Sequence, residues 1–138
     1  MSDGKKRVIA LGFFDGVHLG HGALLRRAAE EAALRGCTPA VFTFDRPPKE
    51  VVTGVPCPLI NSPEDRRDLV RRLYRIQDVL MVPFDREMMT TPWDDFIVRI
   101  LVGRYHAVHL VAGHDHHFGH RNQGTPELLA QKCAQLGL

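Results

Sequence analysis

The sequence predicts an α/β fold in three layers, with a parallel β-sheet between two layers of helices. Apolar runs of strand length alternate with amphipathic helical patterns along the 138 residues. Each helical pattern is long enough to serve as a crossover between parallel strands, and such crossovers cover a sheet on both faces. Because ligands of these sheets bind beyond the carboxyl ends of the strands, the residues directly after each strand are the first candidates for function.

The first half of the chain shows the alternation clearly. A continuous apolar run over residues 8–14 predicts a first strand that is buried on both faces. Helical spacing over residues 20–35 predicts the first helix, which Gly36 ends. The predicted buried stripe of this helix consists of Leu25, Ala28, Ala29 and Ala32. The second strand is predicted over residues 40–44, and a long proline-containing loop follows from Asp45.

Three later helices have the same start signal, which combines a hydroxyl cap, a proline and an acidic residue. We expect the first of them to end near Arg75, the second to bury Phe96 and Leu101, and the third to end at Gly137. The three starts are Ser62-Pro63-Glu64-Asp65, Thr91-Pro92-Trp93-Asp94 and Thr125-Pro126-Glu127.

Two further strands, predicted over residues 79–82 and 107–112, complete a sheet of four. The carboxyl ends of parallel strands meet at one edge of a sheet, so the segments that follow them should surround one crevice. These segments are Gly12–His21, Asp45–Pro48, Pro83–Asp85 and Gly113–Gly119.

Composition limits the classes of function. A hydrophobic fraction of 44%, a charged fraction of 25% and a net charge of +2 are typical of one soluble domain and do not indicate a nucleic-acid-binding surface. The polar residues 1–7 precede only a strand-length apolar run, so we predict neither a signal peptide nor a membrane span and expect a cytoplasmic protein. Three cysteines without a CxxC pair predict neither a disulfide framework nor a zinc site.

The turn after the first strand has the chemistry of a phosphate-binding site. Glycines at positions 12, 16 and 20 let the backbone bend and approach a ligand closely, and the following helix offers unpaired N–H groups and the positive end of its dipole. His18 and His21 lie three residues apart, so both can face the same anion from the first helical turn. A turn whose histidines only cap or pack is the alternative.

The run Phe14-Asp15-Gly16-Val17-His18-Leu19-Gly20-His21 resembles the HxGH signature of the nucleotidylyltransferase superfamily, in the FDGVHxGH form typical of prokaryotic FAD synthetases. These are the FMN adenylyltransferase modules of bifunctional riboflavin kinase/FMN adenylyltransferases. The resemblance implies a Rossmann-like nucleotidyltransferase of riboflavin metabolism that transfers AMP from ATP to FMN, giving FAD and pyrophosphate. It also implies that His18 and His21 are the catalytic donors to the phosphates and that Mg²⁺ accompanies ATP.

Two later segments are also similar to motifs of this family. Residues 43–48 resemble its TFDPHP segment, whose prolines wall the flavin, although Arg46 and Pro47 depart from that pattern. Residues 113–119 resemble its GxDFxFG motif, with His116 where the family usually has Phe. The resemblance implies nucleotide binding by Gly12, Phe13, Phe14, Asp15, Gly16, Gly20, Gly113 and Asp115, and flavin binding by Pro48, Asp115 and Phe118.

The family pattern also includes a C-terminal SST(R/K)IR segment that binds ATP phosphates, and a riboflavin kinase module. Neither is found in residues 1–138, so we expect an FMN adenylyltransferase domain that lacks its C-terminal part and any riboflavin kinase module. Two other functions stay open: an HxGH nucleotidylyltransferase acting on phosphopantetheine or glycerol phosphate, and a nucleotide- or flavin-binding module without turnover. The histidine-rich residues 114–120 lack the spacing of a known metal motif, and no metal site is predicted.

Overall fold

The sheet contains four parallel strands, and the predicted α/β fold is confirmed. The computed structural model describes residues 5–12, 19–46, 52–55, 62–113, 118–119 and 123–138, apart from the side chains of residues 19–21. The strands in this part of the chain are β1 (Arg7–Leu11), β2 (Thr38–Phe44), β3 (Asp78–Val82) and β4 (Ala107–Ala112). They lie in the order β3-β2-β1-β4, and every neighbouring pair is parallel.

Helices connect the strands and cover both faces of the sheet. They are α1 (Leu19–Arg35), α2 (Pro63–Tyr74), α3 (Arg86–Met89), α4 (Trp93–Asp95) and α5 (Pro126–Leu136), with a π-helix over Phe96–Arg104 that continues α4. The helix predicted to bury Phe96 and Leu101 is present, but its π-helical form and the short α3 were not predicted. None of the helices in the described ranges is long and apolar enough to cross a membrane.

Most of the predicted helix ends are confirmed. Ser62 and Thr125 each accept a hydrogen bond from the backbone amide three residues later, at 3.1 and 3.2 Å, and so cap α2 and α5. Gly36 and Gly137 follow α1 and α5 with φ of +64° and +78°, a left-handed conformation that suits glycine.

The predicted cap at Thr91 is wrong. The residue that precedes α4 is Pro92, and no side chain caps that helix. The hydroxyl of Thr91 instead donates to the carbonyl oxygen of Glu87 in α3, at 2.8 Å. The preceding helix therefore uses the hydroxyl that the sequence pattern assigned to the next one.

The first strand is shorter than predicted. It ends at Leu11 rather than at residue 14, and Gly12 lies in a bend. The amide of Gly12, where the described part of this segment ends, donates to the carbonyl oxygen of Phe42 at 3.3 Å. Pairing with the neighbouring strand, rather than hydrophobicity, sets the end of β1.

Two apolar layers enclose β1, as its continuous apolar run predicts. Val8 and Ala10 belong to the layer beneath α1, whereas Ile9 and Leu11 belong to the layer beneath the π-helix. The α1 layer also contains Leu25, Ala28, Ala32, Val41, Val70 and Ile76, and the π-helix layer contains Phe42, Phe96, Ile97, Leu101, Phe118 and Leu129. The packing roles predicted for Phe96 and Leu101 are therefore confirmed, whereas Ala29 of the predicted α1 stripe is only half-buried.

Candidate active site

The four strands end at the same edge of the sheet, the carboxyl edge, from which the predicted segments start. Because all four strands are parallel, the residues after Leu11, Phe44, Val82 and Ala112 leave the sheet at the same edge. The central position of β1 and β2 in the strand order places the carboxyl ends of these two strands side by side. This edge is the candidate active site, at the position where ligands of open α/β sheets bind.

The turn between β1 and α1 is described at its two ends. Gly12 leaves β1 in a bend, and Gly20 and His21 lie in the first turn of α1, which contains no acidic residue. The N-terminal amides and dipole of such a helix favour an anion. The candidate residues Phe13, Phe14, Asp15, Gly16 and His18 lie outside the described residues, as does the side chain of His21.

The loops after β2 and β3 are tied to each other. The carboxylate of Asp45 accepts a hydrogen bond from the amide of Phe84 at 3.1 Å, and the amide of Asp45 donates to the carbonyl oxygen of Val82 at 3.1 Å. The half-buried rings of Phe44 and Phe84 pack edge to face, with their centroids 4.8 Å apart. The predicted flavin-binding residue Pro48 follows this corner and lies outside the described residues.

Arg66 is a buried residue at this edge that our sequence analysis missed. Only 1% of its surface is exposed, although it stands in the first turns of α2. Its guanidinium donates to the hydroxyl of Thr43 at 3.1 Å and to the carbonyl oxygens of Phe44 and Asp45 at 2.9 and 3.3 Å. The signal was present in the helical spacing, because a residue four positions before the buried Val70 falls on the buried face of α2.

The described residues after β4 are held by backbone hydrogen bonds and aromatic packing. Gly113 follows the strand directly, and Phe118 and Gly124 bond to each other through their backbones at 3.2 and 2.8 Å. A Cβ at Gly124 would come within 2.6 Å of the Phe118 ring, and a Cβ at Gly119 would come within 2.6 Å of the Cα of Trp93. Only glycine fits at these two positions without a shift of its neighbours. The candidate residue Asp115 lies outside the described residues.

Phe118 stands at one end of a row of five aromatic rings. Successive ring centroids are separated by 5.7, 5.4, 5.5 and 4.8 Å from Phe118 through Phe96, Phe42 and Phe44 to Phe84. The Phe118 ring is 6% exposed, so it contributes to the apolar layer beneath the site. Its role in flavin binding stays a prediction. The row connects the segment after β4 with the loops after β2 and β3.

Charged groups with shifted pKa values lie away from this edge. Glu31 in α1 accepts a hydrogen bond from Arg35 and lies 3.1 Å from Arg27 and 4.0 Å from His109 of β4. The hydrogen bond from Arg35, followed by the charges of Arg35 and Arg27, holds the pKa of Glu31 below its usual value. Burial, followed by the charge of Arg35, lowers the pKa of His109. This cluster links α1 to β4 and belongs to the packing of the fold.

A metal site was not predicted. Among the residues that the structure describes, no group of three His, Cys, Asp or Glu side chains could hold a metal ion. The histidines at positions 114, 116, 117 and 120 fall outside those residues.

A cavity of about 200 Å³ lies between β4 and α5, where the half-buried thiol of Cys133 has a pKa raised by burial.

Comparison with known proteins gives a consistent result. The family model described as FAD synthetase matches residues 1–138. A bifunctional riboflavin kinase/FMN adenylyltransferase of Listeria monocytogenes is 33% identical over 91% of this chain, and that of Bacillus subtilis is 34% identical over 87%. The chain spans 40% and 38% of the length of these two relatives. A crystal structure described as a macrolide-efflux protein from Streptococcus pneumoniae is similar with a TM-score of 0.80 at 25% identity, over 96% of this chain and 43% of that one.

Proposed function

Because this chain belongs to the FAD synthetase family, we propose that it transfers the AMP moiety of ATP to FMN. The observation that supports this proposal most strongly is that the run Phe14–His21 follows the central strand β1 and ends in the first turn of α1, in a chain that matches the family over its whole length. The eight-residue motif thus follows a strand and leads into a helix, the context that a phosphate-binding turn requires.

The proposed reaction is an in-line displacement at phosphorus. A phosphate oxygen of FMN attacks the α-phosphorus of ATP, which is taken as its Mg²⁺ complex. The bond from the α-phosphorus to the bridging oxygen breaks, and pyrophosphate leaves with the electron pair. The protein forms no covalent bond in this step, so its contribution is to hold the two phosphates in line and to stabilise negative charge.

We assign the charge stabilisation to His18, His21 and the amides of the first turn of α1. In this proposal, eight residues form the nucleotide side of the site: Gly12, Phe13, Phe14, Asp15, Gly16, Gly20, Gly113 and Asp115. The flavin side is formed by Pro48, Asp115 and Phe118. The Phe118 ring is buried, so it supports this side of the site from within the apolar layer. The tie between the loops after β2 and β3 supports a flavin site at this corner, because aromatic rings there can pack against a planar ligand.

A chromatographic assay for FAD and pyrophosphate, after incubation of the chain with FMN, ATP and Mg²⁺, tests the proposal. We expect FAD to form and His18→Ala to lower the rate by on the order of 10²–10³, as loss of one donor to a transition-state oxyanion does. His106→Asn is the matched control, because His106 precedes β4 at the opposite edge of the sheet and Asn tolerates its φ of +56°.

Three results would count against parts of this proposal. Near-normal turnover by His18→Ala contradicts the assigned role of that residue. Binding of ATP or FMN without FAD formation indicates a binding module instead of an enzyme. Binding of neither substrate contradicts the adenylyltransferase function as a whole.

A further inference from the structure

Arg66 has the largest side chain among the fully buried residues in the described part of the chain. Its backbone amide donates to the carbonyl oxygen of Ser62 at 2.9 Å, which anchors it in the first turn of α2. Its guanidinium crosses to the carboxyl end of β2. A buried guanidinium is costly unless its N–H groups are satisfied, so the oxygens that it meets are essential to its placement.

The oxygens that Arg66 meets belong to the strand end. Among the described residues, its hydrogen bonds fix the peptide carbonyls of Phe44 and Asp45 and the hydroxyl of Thr43. Phe44 and Asp45 are also the residues whose side chains contact Phe84, through ring packing and through the carboxylate–amide bond. One buried side chain therefore orients the residues that connect the loops after β2 and β3.

We propose that Arg66 is a positioning residue for the flavin side of the site, an inference that rests on the proposed transfer of AMP to FMN. Arg66 orients the peptide planes at Phe44 and Asp45, and through them the start of the segment that leads to Pro48. The affinity for FMN depends on this orientation. The affinity for ATP depends instead on the turn between β1 and α1, and the bonds of Arg66 described above go to β2 and Asp45.

Three substitutions remove these hydrogen bonds to different degrees. Arg66→Met keeps an unbranched buried stem and removes the three hydrogen bonds described above. Arg66→Lys keeps the charge, but one ammonium cannot reproduce the planar fork that serves three separate oxygens. Thr43→Val removes one acceptor with little change in volume, and it decides the question if Arg66→Met fails to fold.

Arg7 provides a matched control at the opposite edge of the sheet. It is a second buried arginine, 5% exposed, and it also donates to a side-chain oxygen and a main-chain oxygen. Arg7→Met should therefore weaken the fold in a similar way. It leaves the carboxyl edge untouched.

The experiment uses the full 138-residue chain and measures three quantities. The Kd for FMN is measured from the quenching of FMN fluorescence, and the KM values for FMN and ATP are measured from FAD formation. Amide hydrogen exchange at Asp45 and Phe84 is measured by mass spectrometry. We expect Arg66→Met to raise both the Kd and the KM for FMN by about ten- to hundredfold, the range that a small misplacement costs. Arg66→Lys and Thr43→Val should give smaller increases, with faster exchange at both amides and a KM for ATP that is nearly unchanged.

The contradicting results are distinct from those of the proposed function. Any one of three results overturns the positioning role while the unmodified chain still makes FAD. The first is a rise in the KM for ATP as large as the rise in the KM for FMN. The second is a loss of FMN affinity in Arg7→Met as large as that in Arg66→Met, and the third is unchanged FMN affinity in both Arg66→Lys and Thr43→Val. If the unmodified chain binds no FMN, the proposed function and the flavin role of Arg66 both fall, and this result is visible before any variant is made.

Discussion

The two edges of the sheet are each tied by a buried arginine, but the two arginines bond to different oxygens. At the amino edge, Arg7 donates to the carboxylate of Asp78 and to the carbonyl oxygen of Tyr105, both at 3.0 Å. At the carboxyl edge, the bonds from Arg66 go to one hydroxyl and two carbonyl oxygens. The ion pair ties β3 to β1, and the hydrogen bond to Tyr105 ties the residues before β4 to β1. The bonds of Arg66 orient peptide planes at the edge where ligands of this fold bind.

We expect the largest difference in stability between the two edges when a glycine with a left-handed backbone conformation is replaced by alanine. Gly119 at the carboxyl edge has a φ of +78°, and a Cβ there would lie 2.6 Å from Trp93. Gly119→Ala should lower the free energy of unfolding by about 3 kcal/mol, since backbone strain and overpacking add. Urea denaturation measures the change.

Gly36 is the matched control for that substitution. It has a similar φ of +64° at the amino edge, and a Cβ there would meet nothing within 4 Å. Gly36→Ala should cost only about 1 kcal/mol, from backbone strain alone. Equal losses in the two variants would show that packing against Trp93 does not distinguish the edges.

The ion pair at the amino edge gives the next largest effect. Asp78→Asn removes the carboxylate that Arg7 binds and should lower the free energy of unfolding by about 2 kcal/mol. This loss is smaller than that of a fully buried pair because 23% of the Asp78 side chain is exposed. Thr43→Val at the carboxyl edge should cost only about 1 kcal/mol. Thermal denaturation ranks the two variants, and the reverse ranking would break the comparison.

The Glu31 cluster sharpens the comparison because it lies away from the carboxyl edge. The lowered pKa of Glu31 means that its ionised form stabilises the fold above the usual pKa of 4.5 and that this contribution is lost as the pH falls through the lowered value. Glu31→Gln should therefore be less stable than the unmodified chain at pH 7 and similar to it in strong acid. Urea denaturation across this pH range tests the convergence, and a constant difference would contradict it.

The smallest effect is expected at His109. Burial lowers the pKa of this histidine below 6.5, so the unfolded chain takes up its proton first and stability falls as the pH drops through that region. His109→Gln should remove this dependence between about pH 7 and pH 5 while leaving FMN affinity unchanged. A loss of FMN affinity in this variant would show that the cluster communicates with the carboxyl edge.

Local signals predicted the fold well because they depend on neighbouring residues. The apolar run of β1, the hydroxyl caps at Ser62 and Thr125 and the stop at Gly36 are properties of a few consecutive positions. The length of β1 was overestimated because its end depends on pairing with Phe42, which is distant in sequence.

The candidate site was predicted less completely for the same reason. The motif at 14–21 is contiguous, so it was recognisable from the chain itself. Arg66 acts on residues 21 to 23 positions away, and a charged residue on a helix is normally exposed. The aromatic row likewise joins rings from four separate segments, and no local pattern relates Phe84 to Phe118.

The contact between Gly119 and Trp93 gives the chain an optical reporter. Trp93 is the only tryptophan in the sequence, and it packs against the segment that follows β4. Its emission can therefore be assigned to one place, and oxidised flavins absorb at the wavelengths where tryptophan emits. A flavin bound at the carboxyl edge would quench this emission by energy transfer, so the occupancy of the site can be followed in the unlabelled protein.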